Sequence, residues 1–135
     1  MTIIYKFSDE HIKQVHQLYK EVWWAKERTL EDTINCVQGS QVCIGILDSN
    51  DKLIGFTRII SDFIYKAIIF DVIVSADHRN NGLGQTLMSQ VRSHDKLKKV
   101  KHFELYCLPE MEAFYSSFGF STEVGGIKLM RCTNL

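Results

Sequence analysis

Residues 68–84, I-I-F-D-V-I-V-S-A-D-H-R-N-N-G-L-G, join an apolar run to a glycine-bearing loop and then to a helical pattern. The run from Ile68 to Val74 is typical of a buried strand. Beyond the loop, apolar side chains recur at the 3.6-residue spacing of a helix, at Leu83, Leu87, Met88 and Val91. The first turn of a helix has unpaired N–H groups, and its dipole favours negative charge. The stretch therefore predicts a site for a phosphate-bearing ligand.

The composition is typical of an ordinary globular protein. The chain has 135 residues, of which 45% are hydrophobic and 24% charged, and we expect one domain over residues 1–135. Sixteen basic and sixteen acidic side chains give a formal net charge of zero, so no nucleic-acid or membrane partner is expected. No apolar run approaches the ~20 residues that span a bilayer, and the N-terminus lacks the pattern of a signal peptide. A cytoplasmic location is the expectation.

Four cysteines are present, at positions 36, 43, 107 and 132. None forms a C-x-x-C pair, and no histidine lies at metal-ligand spacing from one. We therefore expect reduced thiols and no metal site.

The periodicity predicts a mixed α/β sheet with the element order β-α-α-β-β-β-α-β-α-β-β. Strands are expected at residues 2–7, 41–47, 52–61, 64–75, 101–107, 120–123 and 126–133. Helices are expected to begin at Ser8, at Thr29, in the loop of residues 79–84 and at Pro109, and the last of them is expected to end at Gly119. The strand–helix–strand order around the loop implies a right-handed crossover between two parallel strands.

Two common phosphate loops do not match residues 79–84. The P-loop pattern G-x-x-x-x-G-K-[ST] is absent. The dinucleotide fingerprint G-x-G-x-x-G fails at its third glycine, where the chain has Leu87, and it normally opens the first strand–helix–strand unit.

The loop R-N-N-G-L-G of residues 79–84 resembles the R/Q-x-x-G-x-G/A loop of the GNAT superfamily of N-acetyltransferases. Residues 114–120, F-Y-S-S-F-G-F, resemble the family's F-Y-x-x-x-G-F signature. Residues 55–58 and 74–79 are similar to the family's hairpin strand and to its approach to the loop, with Ala76 in place of the usual proline. Residues 105–111 are similar to one GNAT subfamily of unassigned substrate. The resemblance covers nearly the whole chain and implies the GNAT-like fold.

The resemblance implies acetyl-CoA as the donor and a primary amine of a small molecule or peptide as the acceptor. The cofactor would contact the strand and the loop at Val72, Ile73, Val74, Arg79, Asn80, Asn81, Gly82, Leu83, Gly84 and Gln85. Members of the family often pair as homodimers. A non-catalytic acyl-CoA-binding or regulatory module on the same fold remains the alternative.

The resemblance implies direct attack of the amine on the thioester, with Tyr115 as the acid for the leaving thiolate. A tyrosine at helical spacing with apolar neighbours is also an ordinary core residue. Asp71 stands inside an apolar run, so it is either a base whose pKa is raised or a hydrogen-bonded structural carboxylate. Glu104 and Asp62 are further candidates for the base, and a water chain could replace all of them.

The acceptor pocket is expected between the first two helices, near Trp23, Trp24, Arg28 and Asp62. Adjacent residues on a helix point ~100° apart, so the two tryptophans cannot both face the core. Either one tryptophan lines a cleft, where its ring suits an amine or ammonium group, or both cover edges of the core. Arg28 either binds an acceptor carboxylate or makes a surface ion pair.

Overall fold

Five strands form one sheet in the computed structural model, which describes residues 1–134. The strands are β1 (Thr2–Ile4), β2 (Val42–Leu47), β3 (Leu53–Ser61), β4 (Lys66–Val74) and β5 (His102–Leu105), and they lie in that order across the sheet. The first four strands pair antiparallel, and β5 pairs parallel to β4. The mixed α/β sheet predicted from the sequence is confirmed.

Four α-helices cover the two faces of the sheet: α1 (Asp9–Tyr19), α2 (Leu30–Gln38), α3 (Leu83–Ser93) and α4 (Glu112–Ser116). The side chains of Ser8 and Thr29 cap α1 and α2, as predicted, because each accepts a hydrogen bond from an N–H group of the first turn. Between residues 1 and 134, no helix is long and apolar enough to cross a membrane.

The two faces of the sheet have separate hydrophobic cores. On one face, α3 and Tyr115 of α4 pack on β2, β3 and β4, with Ile44, Leu87 and Met88 fully buried. On the other face, α1 and α2 pack on the same strands through residues such as Val15 and Phe56. The strand β4 therefore presents side chains to both cores, as its near-continuous apolar sequence predicts.

A β-bulge interrupts β4 in the middle of the sheet. Two residues of β4, Asp71 and Val72, lie opposite the single residue Thr57 of β3. The Thr57 hydroxyl donates a hydrogen bond to the carbonyl oxygen of Phe70 at 2.8 Å. Asp71 has φ = 57°, a left-handed conformation that costs a residue with a Cβ atom about 1–2 kcal/mol. Contacts of its side chain must offset this cost.

The bulge changes which side chains face which core. Before it, Ala67 and Ile69 pack in the core beneath α3, and after it Val72 and Val74 do. The alternation of the strand thus shifts by one residue at Asp71. The shift directs the Asp71 side chain to the face that carries α1.

Along one edge of β4, only the first half of the strand pairs with another strand. Pairing with β5 runs from Lys66 opposite His102 to Ile69 opposite Leu105, where β5 ends. Residues 70–74 pair with β3 on one side, and within the described chain no strand pairs with them on the other. The end of β4 thus has an open edge next to the loop of residues 79–84.

The predicted terminal hairpin is wrong for the residues that the structure describes. No strand lies within residues 106–134. Gly125 and Gly126 turn the chain with positive φ angles, as expected, but the segments on either side do not pair. An alternating pattern alone does not pair two segments, and an isolated two-stranded hairpin is marginal in water. The last helix is also shorter than predicted, because Pro109–Met111 forms a 3₁₀ turn before α4.

Replacing Gly45 with alanine should destabilise the fold by about 1–3 kcal/mol, because the core there has no space for a methyl group. A Cβ atom at Gly45 would lie 2.9 Å from Leu53 Cδ1 and 2.9 Å from Phe7 Cζ. Urea unfolding measures the change. The control is Lys13→Ala on the exposed face of α1, which should change the unfolding free energy by less than about 0.5 kcal/mol. Equal effects of the two substitutions would contradict this packing.

Candidate active site

The loop after β4 uses two left-handed residues to turn the chain into α3. Asn80 has φ = 68° and Gly82 has φ = 78°, conformations that glycine and asparagine adopt at least cost. Nε of Arg79 donates a hydrogen bond to the carbonyl oxygen of Val74 at 3.2 Å, which ties the loop to the end of β4. The loop is therefore held directly beside the open edge of that strand.

The N-terminus of α3 has its N–H groups unpaired. The N-cap residue, Gly82, makes no side-chain cap, and no acidic residue lies in the first turn. The first hydrogen bond that closes the turn runs from Thr86 N to Gly82 O at 3.1 Å. Within residues 1–134, no acceptor is bonded to the N–H groups of residues 80–85. These donors and the helix dipole together suit a bound anion.

The two sequence motifs meet in space at this turn. A Cβ atom on Gly84 would lie 3.2 Å from Cζ of Phe114, so the aromatic ring of α4 lies directly against the first turn of α3. The next residue, Tyr115, belongs to the same hydrophobic core as Val72 and Val74 of β4. The loop and the first turn of α3 therefore contact both the end of β4 and Phe114 of α4.

Tyr115 is almost fully buried, with 9% of its surface exposed. Burial, with a smaller contribution from nearby Cys107, raises the pKa of its phenol to about 12. The phenol therefore keeps its proton throughout the neutral range, and it is a weaker acid than an exposed tyrosine. Its burial agrees with an ordinary core position, one of the two roles that the sequence leaves open for Tyr115.

Asp71 is the centre of a buried hydrogen-bond cluster. Its Oδ2 atom accepts hydrogen bonds from the Tyr19 hydroxyl at 2.7 Å, from Arg28 Nη1 at 2.8 Å and from Arg58 Nε at 2.7 Å. Its side chain is 4% exposed. Burial alone would raise the pKa of Asp71, but the hydrogen bonds from the two arginines and Tyr19 outweigh it and lower that pKa below its ordinary value. Of the two roles left open for Asp71, the structure therefore supports the hydrogen-bonded structural carboxylate and not the base with a raised pKa.

Aromatic rings hold the two arginines of this cluster. The Arg28 guanidinium lies 4.6 Å from the centroid of the Tyr19 ring and 5.5 Å from that of Trp24. The Arg58 guanidinium lies 4.9 Å from the Phe70 ring. Such cation–π contacts fix the plane of a guanidinium group and leave its remaining N–H groups directed outward. The side chain of Arg28 is 33% exposed and that of Arg58 is 13% exposed.

The two tryptophans lie in turns after the end of α1, and neither is buried. Trp24 is 41% exposed and contacts Arg28, whereas Trp23 is 71% exposed. The helical spacing assumed for the pair does not apply, because neither residue lies in a helix. Trp24 lies at the rim of the arginine cluster and Trp23 is in solvent.

Asp62 and Glu104 lie apart from the cluster of Asp71. Oδ1 of Asp62 accepts hydrogen bonds from the backbone N–H groups of Ile64, Tyr65 and Lys66, which lower its pKa and close the turn between β3 and β4. Glu104 pairs with Lys66 Nζ at 2.8 Å on the surface. Each of the two carboxylates is therefore engaged in a structural contact.

Neither Tyr19 nor Arg58 was assigned to a functional site from the sequence. A signal for both was present, because a carboxylate inside an apolar strand needs cationic or hydroxyl partners to remain charged. The four cysteines are free thiols. Among the residues described, no group of three or more histidine, cysteine or acidic side chains is arranged to hold a metal ion.

Comparison with known proteins identifies the family. The acetyltransferase (GNAT) domain matches residues 38–122, more than half of the chain. An uncharacterized N-acetyltransferase of Pyropia yezoensis, ycf52, is 30% identical over 132 residues, which cover 94% of this chain and 75% of the relative.

Solved structures agree on the fold. A protein of Xanthomonas campestris pv. campestris assigned to the GNAT family of acetyltransferases superposes with a TM-score of 0.84 at 25% identity, over 99% of this chain and 94% of that one. An aminoglycoside 6'-N-acetyltransferase in complex with coenzyme A superposes with a TM-score of 0.67 at 16% identity, over 78% of this chain and 61% of that one. The second likeness concerns the fold alone. The matched domain and the relatives together place this chain in the GNAT superfamily of acetyltransferases.

Proposed function

We propose that the protein transfers the acetyl group of acetyl-CoA to a primary amine of a small molecule or peptide. The observation that carries this proposal is the row of unpaired N–H groups at residues 80–85, beside the open edge of β4. The unpaired N–H groups suit a pyrophosphate, and the open strand edge suits a pantetheine arm with its two amide groups. Among residues 1–134, no other segment combines unpaired N–H groups at a helix N-terminus with an open strand edge.

The cofactor site explains how a protein of zero net charge can bind a polyanion. Backbone N–H groups at Asn80, Asn81, Gly82, Leu83, Gly84 and Gln85, together with the dipole of α3, supply positive potential where the phosphates would lie. Arg79 adds a cation at the same loop. The pantetheine arm would then add to β4 as an extra strand along Val72, Ile73 and Val74.

The chemistry is direct acyl transfer. The lone pair of the neutral amine attacks the thioester carbonyl carbon, and a tetrahedral oxyanion forms that a free backbone N–H near Ile73 or Val74 would stabilise. Collapse of this intermediate breaks the C–S bond. The sulfur takes the proton of the Tyr115 hydroxyl, and the resulting phenolate takes a proton from the substituted ammonium nitrogen. The products are an amide and the free thiol of coenzyme A.

This sequence of steps needs no carboxylate base. Asp71 would serve poorly as one, because its lowered pKa and three hydrogen-bond donors favour the ionised, fully occupied state. We assign it instead to positioning Arg28 and Arg58. The alternative function, a non-catalytic acyl-CoA-binding module, gives no reason to retain Tyr115 in the F-Y-x-x-x-G-F motif.

Release of free thiol from acetyl-CoA across a panel of primary amines tests the proposal. We expect amine-dependent thiol release and one acetylated product per thiol. Tight binding of coenzyme A without turnover on any amine would favour the binding module instead.

Replacing Gln85 with glutamate should weaken coenzyme A binding by about tenfold or more, because a carboxylate would then occupy the anion site. The same substitution should leave the fold unchanged or stabilise it by about 0.3–1 kcal/mol, since an acid at a helix N-terminus is favourable. Calorimetric titration and thermal unfolding measure the two effects. The control is Gln17→Glu on the exposed face of α1, and an equal loss of affinity there would refute the location of the phosphates.

Replacing Tyr115 with phenylalanine should lower kcat by about 100-fold, because an acid of this kind typically contributes at least that much. Affinity for coenzyme A should remain within about twofold. Tyr106→Phe is the matched control, since Tyr106 is 56% exposed and should leave kcat unchanged. A Tyr115→Phe variant with wild-type kcat would remove the phenol from the mechanism.

The pH dependence of kcat should carry no falling limb between pH 8 and about 10. The acid form of Tyr115 is the active one, and it persists below a pKa of about 12, so only deprotonation of the amine should affect the rate in this window. A stopped assay over a pH series measures it. A decline of kcat that begins below pH 9 would indicate an acid with an ordinary or lowered pKa.

A further inference from the structure

We propose that the amine acceptor also carries a carboxylate, and that Arg28 and Arg58 bind this carboxylate on the α1 side of β4. The inference rests on the proposed function and specifies the class of its substrate, an amino acid or a molecule with the same two groups. It uses the arginine cluster around Asp71, which the transfer chemistry itself does not need.

The arginine cluster carries more positive than negative charge. Two guanidinium groups surround one carboxylate, and Tyr19 contributes a neutral hydroxyl. Among the described residues, Asp71 is the one carboxylate that pairs with either arginine. One positive charge therefore remains in a half-buried setting, where an unpaired charge is unfavourable. A bound anion would neutralise it, whereas a purely cationic amine would be repelled.

Arg28 and Arg58 have N–H donors that the cluster does not use. A guanidinium group has five N–H donors, and its fork matches a carboxylate. Arg28 uses only Nη1 in the cluster, and Arg58 uses Nε together with a long contact of 3.5 Å from Nη1 to Ser40 Oγ. Donors on both arginines therefore remain for a ligand. Arg28 is the more exposed of the two, so the anion would enter over it.

Contacts within the protein hold the arginine cluster in place. Asp71 holds both guanidinium groups, the Tyr19 and Trp24 rings flank Arg28, and the carbonyl oxygen of Arg28 lies 3.0 Å from Nε2 of His16. The acceptor would not have to order these side chains, so less of its binding energy is lost to entropy.

The cluster and the proposed thioester site lie on the same stretch of β4. Asp71 precedes by two or three residues the backbone assigned to the thioester, so the Cα atoms of Asp71 and Val74 are at most about 11 Å apart. An amino acid, which carries its amine and its carboxylate close together, suits two subsites on one short stretch of strand.

The test compares each common amino acid with its own carboxamide as acceptor. We expect kcat/KM to be about 10- to 100-fold higher for the acids, as the loss of a charge-assisted hydrogen bond implies. The amide has the less basic amine and hence more of the reactive neutral form, so the basicity of the amine cannot explain a preference for the acid. Equal or better turnover of the amides by the wild-type protein would overturn the inference.

The variant Arg28→Gln should raise KM for the acids by about tenfold or more and leave the amides and coenzyme A affinity unchanged. Asp71 keeps Arg58 and Tyr19 in this variant, so the fold should persist. Arg28→Lys should restore part of the preference, because it keeps the charge without the fork. Lys26→Gln, an equal loss of charge in the same exposed loop, is the control. A parallel loss for acids and amides in Arg28→Gln would mean that Arg28 has only a structural role.

If the proposed function is wrong, the thiol-release assay gives a different result from failure of the carboxylate site. In that case no amine releases thiol, and the inference is tested by binding alone. The apparent Tm of the coenzyme A-loaded protein is measured with the amino acids and with their amides at millimolar concentration. A rise with one or more acids that is absent with the matching amides and lost in Arg28→Gln supports the carboxylate site. No difference between acids and amides contradicts it.

Discussion

The bulge at Asp71 is the feature on which the rest of the site depends. It shifts the alternation of β4 by one residue, so a carboxylate that would otherwise face the core beneath α3 reaches Tyr19 and two arginines on the other face. The left-handed backbone at Asp71 costs free energy, and three hydrogen bonds to one oxygen offset it. The same bulge lies where β4 loses its pairing with β5. One irregularity in β4 thus lies next to both the arginine cluster and the open edge of the strand.

The loop after β4 works on a different physical basis. It attracts an anion with backbone N–H groups and a helix dipole, in a protein whose side-chain charges sum to zero. Burial is also the main cause of the high pKa of the Tyr115 phenol, with a smaller contribution from Cys107. In the proposed reaction, the donor half of the site therefore relies on dipoles and burial. The acceptor half relies on the full charges of Arg28 and Arg58.

Local patterns predicted most of the fold. Ser8 and Thr29 begin helices where their side chains cap N–H groups, and residues 68–84 form the predicted strand, loop and helix. These features depend on neighbours in sequence. The predicted terminal hairpin is absent from the described residues, because an alternating pattern alone does not pair two segments. The sequence also left two roles open for Asp71, since its partners Arg28 and Arg58 are distant in the sequence and only the fold brings them together.

A crystal structure of the protein with acetyl-CoA bound would test the central claim most directly. The account predicts pyrophosphate oxygens about 3 Å from the backbone nitrogens of residues 80–85. It also predicts a pantetheine arm along residues 72–74 and a thioester sulfur within hydrogen-bonding reach of the Tyr115 hydroxyl. Phosphates bound away from the loop, or a sulfur remote from Tyr115, would contradict the account.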